Sequence, residues 1–531
     1  AYVNQTMPID PPTIGVATLD GLNQTGLAYD LSRLQAIVST DTLLSREVDL
    51  SNAVDSVYLS FFYQAGGYGE SVEFDDSLSV EFYNSQDSNW YSVWRAQENS
   101  PTDFRQVLIP VADTFHTDRF RFRFRSYGSP AGSYDNWHID YVRLDDQRNF
   151  QDTAFTDLAF TAPHPNLLVE YTALPYFHFN SVLGANFKSA LTFNYQRNLP
   201  NNTLNPNLGV YQITYNGNVL AQNLTGSPGL DPNRQDNQPG FYVVDNLNYL
   251  PSPDLSAPFS IEAFQTYNLA SPNRSTNDTV RIEQKFENFY AYDDGTAERS
   301  YYVDNNDEGF IISRFEFLQA DSLRGIYMYC LPTNYDVEDA EFTIVVYEDN
   351  NGVPGSLIYE SDSVFTPKFS THNLLWPYPL DEAVYVDRDV FIGIRQQSAR
   401  RVTIGYDVNT ANADIGEIFF GLENNYFQSS AAGSLMLRPY FRFNPDNISL
   451  PELTQADISV YPNPTSGQLN LTISKEGSYH YNLFNLNGQN VQAGPAEENL
   501  QLGNLPKGIY LLQVTEDSGK FAPFTTNIVL Q

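Results

Sequence analysis

"DRFRFRFRSYG" spans Asp118–Gly128. Its centre alternates without a break: Phe120, Phe122 and Phe124 take one parity, Arg121, Arg123 and Arg125 the other. Side chains two apart share a face in an extended strand, whereas a helix would scatter the phenylalanines around its axis. The segment therefore reads as a strand with one face in a core. Its arginine row has two readings, a solvated face or a stripe that binds anions.

The same period recurs outward along the chain. "DSVYLSFFYQAGG", "DSLSVEFYNSQDSNWYSVWRA" and "FRQVLIPV" precede it; "ALTFNYQ", "FSIEAFQTYN", "EFTIVVYEDNNGVPGSLIYESDSV" and "AVYVDRDVFIGIRQQ" follow. Turn residues separate them, as the 31 Gly and 31 Pro would provide. Tyr and Phe, at 36 each, suit a pleated, half-buried surface, and no long 3.6-residue repeat appears. A chain of 531 residues is too long for one core. The fold class is all-β, with several β-sandwich domains, jelly-roll and Ig-like, in tandem. The expected boundaries are 1–148, 149–284 and 285–446, a linker at 447–456, and a terminal module at 457–531.

A net charge of −35 argues against a nucleic-acid partner, whose phosphates need Lys and Arg. It argues equally against docking on anionic lipid. No apolar run is long enough to span a bilayer, so no transmembrane segment is expected. The chain opens at "AYVNQT" without Met, consistent with a processed export substrate. Cys330, the single cysteine, sits among apolar residues and reads as a buried small hydrophobe.

The first unit closes with "SYDNWHIDYVRLDD". Over roughly residues 12–147 it resembles the jelly-roll sandwich of MAM-like and laminin-G-like adhesion domains, which end in a short "I-D-D-V"-type strand, here Ile139-Asp140-Tyr141-Val142. The second unit suggests an immunoglobulin- or fibronectin-like sandwich, with a long polar loop at 225–240. The third opens on Tyr292-Asp293-Asp294-Gly295-Thr296-Ala297-Glu298, which resembles a recurrent opening of sandwich domains in exported proteins of the Bacteroidota.

The terminal module carries "VYPNPTSGQLNL", then "YHYNLFNLNGQNV", then "LPKGIYLLQV". It resembles the type A C-terminal sorting domain of the type IX secretion system. The matching residues are Tyr461, Pro462, Asn463, Pro464 and Gly467, then Asn487 and Gly488, then Gly508 and Tyr510. Pro462 and Pro464 withhold backbone donors, so the segment is expected to enter the first strand without pairing early. Asn487-Gly488 is a hairpin dipeptide. Gly508 is expected where a Cβ would clash, before Tyr510 and Leu512 turn inward. Asn527 stands where the family usually has a basic residue, and the nearest lysine is Lys520.

The resemblance implies the type IX secretion machinery as a partner and an extracellular or outer-membrane-associated location. The expected function is binding of a glycan, matrix component or protein. The alternatives are an accessory subunit of an outer-membrane complex, or a carbohydrate-active or peptide hydrolase with an unrecognised site.

No "H-E-x-x-H", "G-x-S-x-G" or phosphate-cradling glycine loop occurs, so no enzyme is expected. His116, His138, His164, His178, His372 and His480 lack ligand spacing, and no metal or cofactor is expected. Calcium is the one ion the acidic loops would suit, for instance at Asp304–Glu308 or Glu348–Asn351. Glu73, Asp75, Asp76, Glu81, Asp135 and Asp140 would supply any carboxylate pair. The "QAGGYGESVEFDD" loop is the candidate binding loop, through an exposed Tyr68 with Glu70, Asp75 and Asp76; its glycines also fit a tight turn. Trp90 and Trp94 fit either a sugar platform or packing. Asp-Ser/Thr-apolar tripeptides, which resemble the O-glycosylation signal of these bacteria, place candidate sites at Thr42, Ser56, Ser77, Thr153, Thr279, Ser322 and Ser363.

Overall fold

The computed structural model describes residues 1–531 except 54, 99–100, 154–156, 180–186, 199–206, 226–238, 248, 250, 269–276, 305–308, 333–338, 411–417, 423–424, 442–457, 474–477, 486–489, 497–498, 504 and 517–523. The expected linker at 447–456, most of the 225–240 loop and the Asn487-Gly488 dipeptide lie outside the described residues. Among the described residues the chain is strands, turns and two short 3-10 turns, with no α-helix. It divides into two compact units, Ala1–Asn444 and Pro445–Gln531.

The first 148 residues form nine strands: β1 Tyr2–Asn4, β2 Val16–Leu19, β3 Val38–Leu44, β4 Val57–Ala65, β5 Ser77–Asn84, β6 Asn89–Ala96, β7 Arg105–Val111, β8 Arg121–Gly128 and β9 Trp137–Asp145. One sheet runs β1-β2-β9-β4-β7, the other β3-β8-β5-β6. Their inner faces meet in one core, where Phe61 of β4 packs edge-on to Phe124 of β8 at 4.9 Å between ring centroids. Phe120 and Phe124 are fully buried, each worth about 1.5–3 kcal/mol of apolar transfer.

The opposite parity of β8 carries the arginine row, which is half-buried and engaged by the protein's own groups. Arg123 and Arg125 both donate to Glu81 of β5, at 2.6 and 3.3 Å. Arg121 lies 4.5 Å over Tyr83, Arg123 4.2 Å over Trp90 and Arg125 5.0 Å over Tyr127. The three guanidinium groups thus stack on aromatic rings, and two of them pair with Glu81 while keeping 23% and 25% of their side-chain surface exposed. Trp90 is used in this layer, and Trp94 packs edge-on to Phe61 and Tyr63.

Residues 157–287 contribute a three-stranded sheet (Asp157–Phe160, Leu191–Asn198, Pro239–Val244) and a five-stranded one centred on Phe259–Asn268. Residues 299–440 add a six-stranded sheet centred on Val390–Gln396 and two three-stranded sheets. The cores of these two regions are continuous: Tyr171 stacks on Tyr292 at 4.7 Å, and Tyr292 on Phe315 at 5.2 Å. Cys330 is buried there, its thiol pushed up to about 12 by burial.

The Tyr292–Glu298 motif has a structural reading. Tyr292 fills the aromatic stack. The fully buried Asp293 accepts from Arg438 at 3.0 Å. The Asp294 amide donates to Asp407, and Glu298 accepts the amide of Val408 at 3.0 Å. The motif therefore ties the opening of the third region to strand Ile404–Asp407 and the turn after it.

The second unit is a smaller two-sheet sandwich. Ile458–Tyr461, Gln468–Ile473 and Asn499–Gln501 form one sheet; Asn490–Pro495, Tyr479–Phe484, Gly508–Glu516 and Phe524–Leu530 form the other. Leu469, Leu471, Leu483, Leu502, Leu512, Val514 and Ile528 build its core.

Candidate functional site

The candidate binding loop leaves β4 at Ala65. Gly66 and Gly67 have φ of +76° and +62°, the left-handed region that glycine enters without a Cβ penalty. Tyr68 is half-buried, not exposed as the sequence suggested. Its amide donates to the Met7 carbonyl at 2.7 Å, and its own carbonyl accepts from Arg299 at 2.7 Å. Burial pushes the Glu70 carboxyl above its usual range, while Arg299 pulls the other way. The first half of the loop is thus a joint between the first and third regions. The accessible part is its tip, Glu73, Phe74 and Asp75, with Phe74 70% exposed.

Below this tip the fold brings Asp76 to Asp135, 59 positions later, together with Glu73. Their carboxylate oxygens lie within 4.8 Å of one another. The Glu73 amide donates to Asp76 at 2.7 Å, and the Ser129 amide donates to Asp135 at 2.6 Å. Asp135 has φ +54° and Gly128 packs against it, where an added Cβ would meet Oδ2 at 2.5 Å. Burial pushes Asp76 up to about 6 and Asp135 up to about 9, with repulsion from Asp76 adding to the latter. Among the described residues no Lys or Arg forms an ion pair with the trio. Three hard oxygen donors without a counter-charge have the chemistry to hold a divalent cation, or else to share protons. Asp75 is not among the three and is exposed at the tip.

The other carboxylate candidates are engaged. Glu81 holds Arg123 and Arg125, and Asp140 accepts from Thr13. Asp304 pairs with Arg401, with 305–308 outside the described residues. Glu348 pairs with Arg388, and Asp349 holds Arg314 and the Gly352 amide. The histidines do not converge. His138 is buried in β9 between Thr18 and Gly66, His164 stacks on Tyr211, and His178 bridges Tyr290 and Asp321.

In the second unit, Tyr461 to Pro464 are exposed, and both the Tyr461–Pro462 and Asn463–Pro464 bonds are cis. The prolines follow the first strand, closing it at Tyr461 rather than leading into it. Asn463 accepts the Val529 amide at 2.9 Å, and the Thr465 amide donates to the Val529 carbonyl at 2.9 Å. The motif is therefore stitched to the last strand of the module. Gly467 has φ +126°, and an added Cβ would lie 2.8 Å from the Gly503 Cα. Gly508 differs from its expectation: the nearest atom to an added Cβ is 4.0 Å away, so no clash explains it. Tyr510 and Leu512 do turn inward, and the Tyr510 hydroxyl donates to the Pro506 carbonyl at 2.6 Å.

Of the candidate glycosylation positions, Thr42, Ser56, Thr153 and Ser363 are exposed, Thr279 and Ser322 are half-buried, and Ser77 is enclosed at 0% exposure.

Residues 459–526 match the family model of the secretion system C-terminal sorting domain. The chain thus carries the sorting tail of type IX secretion cargo, which marks it for export to the cell surface or beyond. No curated protein matches the chain. A solved structure of Salmonella alpha-2-macroglobulin reacted with methylamine aligns with 96% of this chain at 8% identity and a TM-score of 0.15. The chain spans 41% of that chain's length, and a likeness this weak carries no argument.

Proposed function

We propose that the chain is a surface protein of a member of the Bacteroidota that works by contact, not by catalysis, with a glycan, matrix component or protein as its partner. The observation that carries this reading is the division of labour. A sorting module forms one compact unit, 445–531, and an all-β body of 444 residues forms the other. A separate tag leaves the body to act on its own account. The strand orders β2-β9-β4-β7 and β3-β8-β5-β6 in the first sandwich support a jelly roll, an architecture used for binding. Loops at the ends of such sandwiches offer contact surface, and Phe74 between Glu73 and Asp75 is the most exposed aromatic among the described residues.

Deleting residues 454–531 tests the export half: the body is expected to fold and stay in the periplasm, and normal display of the truncated chain would overturn it. Native pull-down from outer membranes tests the contact half, comparing the parent with a Phe74→Ala/Asp75→Asn variant. Partner capture is expected to fall while the melting temperature holds. Turnover on a polysaccharide or peptide panel, abolished by a single carboxylate substitution, would replace contact with catalysis.

A further inference from the structure

The arginines of β8 belong to a wider surface that strand register lays out. Directly paired residues of neighbouring strands share a face of the sheet. On the outward face Tyr83 sits between Arg121 and Trp90, and Glu81 between Arg123 and Ser92. In the next row Ser79 sits between Arg125 and Arg95. The face is open to solvent: Arg95 and Ser92 are exposed, and Leu44, beside Arg123 on β3, is 50% exposed.

Four guanidinium groups thus meet one carboxylate, in a chain where 64 Asp and Glu outnumber 29 Lys and Arg. Glu81 answers Arg123 and Arg125, and among the described residues Arg95 and Arg121 form no ion pair. Glu47, whose charge reaches Arg121, is held by Arg119 at 3.0 Å. The rings steady this charge without consuming its donors. Arg121 lies over Tyr83 and Arg123 over Trp90, which occupies the flat faces of the guanidiniums. Their N–H groups lie in the plane and point from its edge, where a carboxylate or sulfate can be met by two of them at once. Stacking also restrains the side chains beforehand, which lowers the ordering cost of binding.

The spacing decides the class of anion. Arg121 and Arg95 stand four residues apart along the strands and two strands apart across them, about 16 Å in all. No single small anion touches both, so a partner that uses them carries repeated charges. Duplex nucleic acid, with one charge per ~1.7 Å, would run past so small a patch onto the rest of an acidic protein. A peptide is gripped through main-chain bonds at a sheet edge or as a helix in a groove, and a sheet face supplies neither. A polysaccharide carries its acid groups and hydroxyls outward along its length, where side chains alone can meet them. We infer that the outer face of β8, β5 and β6 binds an acidic polysaccharide, its carboxylate or sulfate groups pairing with the four arginines. This is a second surface beside the loop tip at Phe74, and the two share no residue.

The test is calorimetric titration of the full chain with polygalacturonate and dextran sulfate, and with neutral dextran, duplex DNA and polyglutamate for comparison. At least one acidic polysaccharide is expected to bind, and to bind about tenfold more weakly in Arg95→Gln/Arg121→Gln. Neither arginine holds an ion pair, so this variant should keep the parent's melting temperature. Arg388→Gln/Arg400→Gln removes the same charge from exposed positions elsewhere and is expected to bind like the parent. Failure of both acidic polysaccharides, equal binding of neutral dextran, or no greater loss in the first variant than in the second overturns the site. Duplex DNA or polyglutamate binding as tightly as the better polysaccharide overturns the choice of partner. Capture through Phe74 is read by its own variant, so either surface can fail while the other stands.

Discussion

Gly467→Ala should unfold the sorting module without disturbing the body. Two costs add at this position. At φ +126° an L-residue is strained, by about 1–3 kcal/mol. The added methyl would also lie 2.8 Å from the Gly503 Cα and 3.1 Å from its nitrogen; these are main-chain atoms that cannot rotate away, and such overpacking costs about 1–3 kcal/mol. The sum, about 4 kcal/mol, is comparable to the whole stability of a sandwich this small. Hydrogen-exchange mass spectrometry of the full chain reads it: protection over Gln468–Ile473 and Gly508–Glu516 should fall by about a thousandfold. Tryptophan fluorescence supplies the internal control. All four tryptophans, Trp90, Trp94, Trp137 and Trp376, lie in the first unit, so their urea midpoint should not move. Gly503→Ala is the matched substitution, because an added Cβ there meets nothing within 4 Å. Unchanged protection in Gly467→Ala, or equal loss in both variants, would refute the reasoning.

Acid should weaken the first unit partly through His138, which burial pushes down to about 4. The neutral ring is favoured in the folded state, so this contribution is complete above pH 6.5 and fades as pH falls towards 4. His138→Gln should therefore lose about 2–3 kcal/mol less than the parent between pH 7 and pH 4.5 in urea unfolding; parallel losses would remove the assignment. Arg438→Met strands the buried Asp293 carboxylate and should cost about 3–5 kcal/mol, largely recovered in the Asp293→Asn/Arg438→Met double variant; a cost below about 1 kcal/mol would show the pair to be solvated. Intact-mass and peptide mapping of the native protein should find glycans among Thr42, Ser56, Thr153 and Ser363 and none on the enclosed Ser77. A native mass equal to the bare polypeptide would exclude the modification.

The strands and the sorting module were legible in the sequence because their signals are local. Alternation at Phe120–Arg125 follows from the two-residue period of an extended chain, and needs no knowledge of what lies opposite. The same holds for Tyr461–Gly467, where proline, asparagine and glycine impose their geometry within a few residues. What the arginines of β8 do was not legible, because Glu81 and Trp90 reach them only through strand pairing. The loop at Tyr68 was misread as exposed for a similar reason. Arg299, which donates to its carbonyl, lies 231 positions away. Asp76 meets Asp135, and Thr13 meets Asp140, only after long chain segments have folded back. Local periodicity decides which face of a strand is buried. Convergence of polar groups depends on which distant segments pack together, and in this chain the tertiary structure alone decided it.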